Sequence, residues 1–305
     1  MLDSLIAVFL VIATGWFLKA RGIVAQPQWL GVERLTYQAL FPSVVISTLA
    51  MADLTSLPVL PMGATLVLSI LTMAALLLLA RPLLLKLRIA GPAFTSIFQG
   101  SVRWNTFVAL ALAAGLHGRT GAALMAIAVA SMIPLLNVLC VLVLARYASH
   151  ERPMRAGAIL RSIVFNPFIW SSAIGLALNP VQAYLPAALT GAIDILGRAS
   201  LGIGLLVVGA SLDLARLARP QPAHGIALLL KLVAMPVFAA FFAHRLGVSG
   251  TALEMTIIAA SMPTATAAYF LARELGGDAA LMAEITTLQT LLAMATLPVA
   301  LLLLT

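Results

Sequence analysis

The sequence predicts an all-α membrane protein of ten transmembrane helices, arranged as two inverted five-helix repeats. Three observations predict it: a composition too apolar for a soluble fold, ten apolar runs of spanning length, and basic residues confined to alternate connections. Of 305 residues, 62% are hydrophobic and only 9% are charged. Soluble domains run at about 45–50% apolar and about 25% charged, and no soluble interior can hide the excess. Part of the solvent is therefore lipid.

A spanning helix needs about 20 mostly apolar residues. Such runs cover 5–20, 32–50, 59–80, 93–115, 120–146, 158–178, 190–213, 223–245, 251–273 and 279–304. The second is the least regular, because Gln38 and Pro42 interrupt it. The first run is preceded by Asp3 rather than a basic stretch and is followed by Lys19 and Arg21. With no small-residue cleavage site, it is expected to stay as a span rather than be removed as a signal peptide.

Basic residues orient the chain. One set of alternate connections carries thirteen: Lys19, Arg21, Arg34, Arg81, Lys86, Arg88, Arg146, Arg152, Arg155, Arg161, Arg216, Arg219 and Arg273. The opposite set carries two, Arg119 and Arg245. The basic side faces the cytoplasm, so both termini are expected on the outer side, the periplasm of a bacterial inner membrane. The net charge of +8 is spread over these short loops and forms no stripe, which argues against a nucleic-acid partner. The bilayer is the expected partner instead. Cys140 stands alone, so neither an intramolecular disulfide nor a cysteine metal site is expected.

The longest polar connection, 145–161, lies at the middle and separates five runs from five, giving halves 1–150 and 151–305. An odd number of spans per half inserts the second half upside down. A trace of the repeat survives: Ala-Ala-Leu-Met-Ala occurs at 122–126 and again at 279–283, each time after a short glycine-containing loop. Inverted halves can exchange conformations and open one site to either side in turn.

Polar residues inside spans are the informative ones, because lipid penalises unpaired polar groups. The fourth span contains Gln99-Gly100-Ser101-Val102-Arg103-Trp104-Asn105-Thr106, and the ninth contains Ser261-Met262-Pro263-Thr264-Ala265-Thr266, at corresponding depths. Pro263 cannot donate a backbone hydrogen bond and clashes with the preceding turn. A helix broken there frees N–H groups at one half-helix end and C=O groups at the other, as in many carrier substrate sites. The alternative is a proline kink patched by threonine side chains.

Several short words occur in a characteristic order: Phe41-Pro42 with Ser47-Thr48-Leu49-Ala50, Asn105-Thr106, Pro134-Leu135-Leu136-Asn137-Val138-Leu139, Asn166-Pro167, Gly209-Ala210-Ser211-Leu212, Lys231-Leu232 with Pro236, and Met262-Pro263-Thr264-Ala265. Together they resemble the auxin efflux carrier family, which includes plant auxin carriers and bacterial carriers associated with malate or malonate. The resemblance runs from about Gly15 to the C-terminus. It implies broken, crossing helices in spans four and nine, a scaffold of spans one, two, six and seven, and a moving unit of spans three to five and eight to ten. The family's crossover asparagine matches Asn105, its ninth-span proline Pro263 and its fifth-span asparagine Asn137. Many members carry a proline just after the span-four asparagine; here residues 106–111 have none.

Three cations fall inside spans, each at a cost of about 2.5–3.5 kcal/mol on insertion scales. Arg198 has Asp194 one turn earlier, a favourable i,i+4 pair. Lys231 has two readings, an ammonium that snorkels to the cytoplasmic surface or a functional charge. Arg103 is the deepest and has no acid near it in sequence, so a functional role is expected. Glu254, Glu284 and Asp194 lie near predicted span ends, and the four histidines, His117, His150, His224 and His244, are expected at interfaces.

These residues point to a secondary carrier that moves a small organic anion, a malate-like or auxin-like carboxylate, by alternating access. The expected substrate-contacting set is Arg103, Asn105, Thr106, Asn137, Ser261, Pro263, Thr264 and Thr266. No cofactor or metal is expected, and no catalytic pair lies at depth, so an enzyme is not. A homodimer is left open. The competing readings are a sodium-coupled symporter of the bile-acid type and a membrane sensor that keeps the carrier fold.

Overall fold

Long apolar runs without strand-forming alternation leave the helix as the one local structure that satisfies its own backbone in lipid. In the computed structural model of the chain, residues 2–55, 57–148, 157, 165–214 and 221–305 are described, and among them the regular structure is entirely helical. In chain order, α1 (Leu2–Ala20) precedes α2 (Gln26–Leu35), a π-helical turn (Thr36–Leu40) and α3 (Phe41–Ala50). Then come α4 (Val59–Leu79), the short α5 (Arg81–Lys86), α6 (Gly91–Val102) and α7 (Thr106–Tyr147). The second half holds α8 (Pro167–Leu178), a 3-10 turn (Asn179–Tyr184), α9 (Ala187–Ser211) and α10 (Pro222–Leu229). A second π-helical turn (Leu230–Ala234) leads to α11 (Met235–Arg245), α12 (Gly250–Ser261), α13 (Ala267–Glu274) and α14 (Ala279–Leu304). The join between the predicted halves, the start of predicted span six, and Arg152, Arg155, Arg161, Arg216, Arg219 and His150 lie outside the described residues.

Six helical stretches among the described residues are long and apolar enough to cross a membrane: Asp3–Ala20, Val59–Leu79, Gly91–Tyr147, Ala187–Ser211, Pro222–Arg245 and Ala279–Leu304. Among the described residues, the remaining predicted spans, two, six and nine, show shorter helices. Proline accounts for much of this segmentation. Pro42 and Pro236 each follow a π-helical turn, where the wider ring relieves the clash with the carbonyl four residues back. Accordingly, the Phe41 N–H donates to the Thr36 carbonyl and that of Met235 to Leu230, both five residues back. Within α7 the chain bends at His117 and Gly118, whose φ of 54° is a left-handed conformation that favours glycine.

One continuous buried core runs through the described helices, and within it two groups pack most closely, joined by α7. In one, α1 lies along α9, and α3 packs on α8 and α9. The α1–α9 contact is close because of small residues: a methyl on Gly15 would strike the Leu206 carbonyl, and one on Gly209 would strike that of Ile12. In the other, α4 packs on α7 and α11, α12 on α7, α11 and α14, and α6 on α7, α10 and α14. Large apolar side chains such as Ile6, Leu10, Leu79, Ile195, Leu302 and Leu303 point outward, as a lipid-facing surface requires.

The second group is tied at both ends by reciprocal contacts. At the bend of α7, His117 meets Glu254 on the first turns of α12 at 2.8 Å. At the other end, the Ser96 hydroxyl on α6 donates to the Asp278 carbonyl at 2.8 Å, and the Asp278 N–H donates to the Pro92 carbonyl at 3.3 Å. Each connection thus holds the start of a helix from the opposite half. Another histidine is also engaged rather than simply interfacial: buried His224 meets Glu284 at 2.7 Å.

Candidate functional site

The site is built where helices stop. Helix α6 ends at Val102, and Arg103 (φ −72°, ψ 159°) and Asn105 (φ −91°, ψ 100°) are extended. Asn105 then caps α7: its side-chain oxygen accepts the Val108 N–H at 3.3 Å, meeting one of the helix's unpaired donors. Thr106, buried, begins the helix. Helix α12 ends at Ser261, and Met262 is extended (φ −63°, ψ 140°), as a residue before proline tends to be. Residues 262–265 are non-helical, and α13 begins at Ala267.

The second of these stretches meets the last turn of α6. The Thr264 hydroxyl donates to the Gly100 carbonyl at 2.9 Å. Gln289, wholly buried on α14, accepts the Thr264 N–H at 2.9 Å and donates to the same Gly100 carbonyl at 2.8 Å. Ser261 is buried beside this junction, its hydroxyl without a partner, and Pro263 is buried too.

Arg103 belongs to a second group. One of its terminal nitrogens donates to the Asn137 side-chain oxygen on α7 at 3.2 Å. Its Nε and the Asn137 Nδ2 are buried without a hydrogen-bond partner. The guanidinium lies in the neighbourhood of the Cys140 thiol and the Tyr37 hydroxyl. Tyr37, on the first π-helical turn, accepts from the Asn166 side-chain nitrogen at 3.4 Å and sets its ring edge-on to Phe168 at 5.2 Å. Phe41 closes the wall, 4.2 Å from Phe168 and 4.9 Å from Phe107 between ring centres.

The eight predicted residues therefore divide. Arg103 and Asn137 touch each other; Ser261, Pro263 and Thr264 gather at the Gly100 junction; Asn105 and Thr106 form the start of α7. Thr266 stands apart, lining a cleft of about 320 Å³ with Lys19, Glu33, Ser211, Asp213 and Tyr269. A second cleft, about 720 Å³, opens near the other end of α9 and includes Thr48, Arg119, Gln182 and Thr190.

The other internal cations settle differently. Arg198 pairs with Asp194 at 2.8 Å, as its spacing predicts. Lys231 does not snorkel: it is 0% exposed in the second π-helical turn, and its Nζ has no partner. The wider turn and the packing of α6, α12 and α14 around it hold the stem inward. Gln289, Tyr37 and Asn166 were absent from the expected set. A glutamine in the apolar run of α14 was a usable signal; Tyr37 had none, and Asn166 entered only through the Asn166-Pro167 word of the family resemblance. Among the described residues, no three His, Cys, Asp or Glu side chains gather as a metal cage.

A family model described as membrane transport protein matches residues 1–301, nearly the whole chain. The chain belongs to that family, the auxin efflux carriers. This transporter is 23% identical, over 97% of its length and 96% of the relative's, to an uncharacterized transporter of Methanothermobacter thermautotrophicus. It is also 28% identical to a provisionally named malonate transporter of Rhizobium meliloti, across 51% of this chain and 53% of that one.

Proposed function

We propose that this transporter is a secondary carrier moving a small organic anion by alternating access, with Arg103 and Asn137 at the binding centre. One observation carries the reading. Arg103 Nε and Asn137 Nδ2 are both hydrogen-bond donors, both buried, and both without an acceptor. A buried donor left unpaired costs about 1–3 kcal/mol, and more if it is charged. A carboxylate is acceptor-only and suits the planar fork of an arginine. The sequence places no acid near Arg103, so an anionic ligand would supply the missing charge. The name of the Rhizobium relative favours a small carboxylate of the malonate kind.

The architectural part of the proposal is ten spans in two inverted five-helix halves, in a bacterial inner membrane with both termini periplasmic. Spans four and nine are each split, at 103–105 and 262–266, and cross at Gly100 and Thr264. Spans one, two, six and seven form a fixed scaffold against which the rest moves. The reciprocal ties at His117–Glu254 and Ser96–Asp278 favour this, since each links corresponding parts of opposite halves. So do the two packing groups and the clefts near opposite ends of α9.

The test is a thermal-shift screen of purified transporter against mono- and dicarboxylates, with matched amides and amines as neutral and cationic controls. Binding stabilises by RT ln(1 + [L]/Kd), so even weak ligands register at high concentration. Stabilisation by carboxylates alone supports the proposal, and equal stabilisation by the neutral amides refutes it. Sodium dependence of the shift would favour the symporter reading instead.

A further inference from the structure

The side chain of Gln289 makes three hydrogen bonds at the crossing. Its oxygen accepts the Thr264 N–H at 2.9 Å, and its nitrogen donates to the Gly100 carbonyl at 2.8 Å and to the Ala227 carbonyl at 3.2 Å. Both Gln289 and Thr264 are 0% exposed. The bonded groups lie on α6, on the stretch after α12 and on α10, and Gln289 itself lies on α14. One amide therefore joins four elements.

The chemistry of the junction selects glutamine. The Thr264 N–H lost its helical acceptor when α12 ended at Ser261. The Gly100 carbonyl lies at the terminus of α6, where carbonyls have no intrahelical donor. One orphan donor and two carbonyls need a side chain with one acceptor and two donors at fixed geometry. Only a primary amide offers that, and an asparagine is one methylene shorter. An ionised carboxylate could accept from Thr264 but would repel both carbonyls; an ammonium could not accept at all.

We propose that Gln289 is a positioning residue for transport: it locks the two interruptions and α10 into one body without touching the substrate. The proposal rests on the reading that the crossing belongs to the moving unit. It also means that the Thr264 N–H and the Gly100 carbonyl are committed to protein partners, so ligand recognition falls to the Arg103–Asn137 group.

The test is backbone hydrogen–deuterium exchange of the full transporter, comparing wild type with Gln289→Met, an apolar residue of similar length. Exchange should rise at least tenfold at 262–266 and at 100–105 together, while α4 stays at the wild-type rate. The control is Gln99→Met. Gln99 is equally buried, one residue before Gly100, and neither of its amide atoms has a partner; this variant should leave both stretches unchanged. Gln289→Glu should exchange faster than Gln289→Met, and Gln289→Asn gives the same comparison if the Met variant does not fold. Exchange within twofold of wild type at both stretches, or a uniform rise that includes α4, overturns the proposal. Uptake of malonate into proteoliposomes adds a kinetic readout: kcat per folded molecule should fall at least tenfold with KM within threefold. A merely structural glutamine would lower the yield of folded protein and leave kcat unchanged. If wild type moves no malonate, the anion reading is what suffers, and the exchange data still decide the role of Gln289.

Discussion

Replacing Arg103 with glutamine should separate binding from folding. In the folded chain one terminal nitrogen of Arg103 is held by Asn137 at 3.2 Å, and Nε has no partner. Two further donors can therefore reach a bound carboxylate. Hydrogen bonds to charged groups contribute about 1.5–3 kcal/mol each, so two give about 3–6 kcal/mol before solvent competition. Arg103 is only half-buried, and halving the figure for water access leaves about 1.5–3 kcal/mol. At about 1.4 kcal/mol per factor of ten, that is roughly a 10- to 150-fold loss of carboxylate affinity. Arg103→Lys should recover part of this, since an ammonium cannot reproduce the fork. The folded state, by contrast, loses one hydrogen bond worth about 1 kcal/mol and is relieved of a half-buried charge. The melting temperature should therefore move by no more than about 4 °C. Uptake of labelled malonate into proteoliposomes, with thermal unfolding of the same preparations, measures both quantities. Unchanged affinity in Arg103→Gln would refute the reasoning and leave Lys231 as the next candidate. Loss of folded protein with normal affinity in the remainder would make Arg103 structural.

Lys231→Met should raise the melting temperature, because a buried ammonium with no partner gives up its hydration uncompensated and an apolar side chain of similar length does not. A fall would mean that the ammonium is paired in the membrane-embedded protein. With single cysteines, Thr266→Cys should react with a water-soluble thiol reagent through its cleft, whereas Ser261→Cys and Thr264→Cys, at 1% and 0% exposure, should not. Equal labelling of all three would contradict the buried junction. A reporter active only in the cytoplasm and fused after Thr305 should stay silent; a strong signal would reverse the proposed topology.

The amino-acid sequence alone determined the solvent, the helical class and the family. These are properties of composition and local order: a chain with 62% hydrophobic residues needs lipid, and in lipid the helix satisfies its own backbone. It also marked two places where helices are disturbed, since Pro42 and Pro263 act on residues within one turn of themselves. The Arg198–Asp194 pair was legible for the same reason, being a contact between neighbouring turns. Tertiary structure alone decided which freed groups find each other. The bond from Gln289 to Gly100 spans 189 residues and that from Asn166 to Tyr37 spans 129, distances over which no local pattern signals a partner. It also decided that Asn105 serves first as a helix cap and that Lys231 faces inward rather than toward water. A buried polar side chain is defined by what packs around it, and that depends on several helices converging from distant parts of the chain.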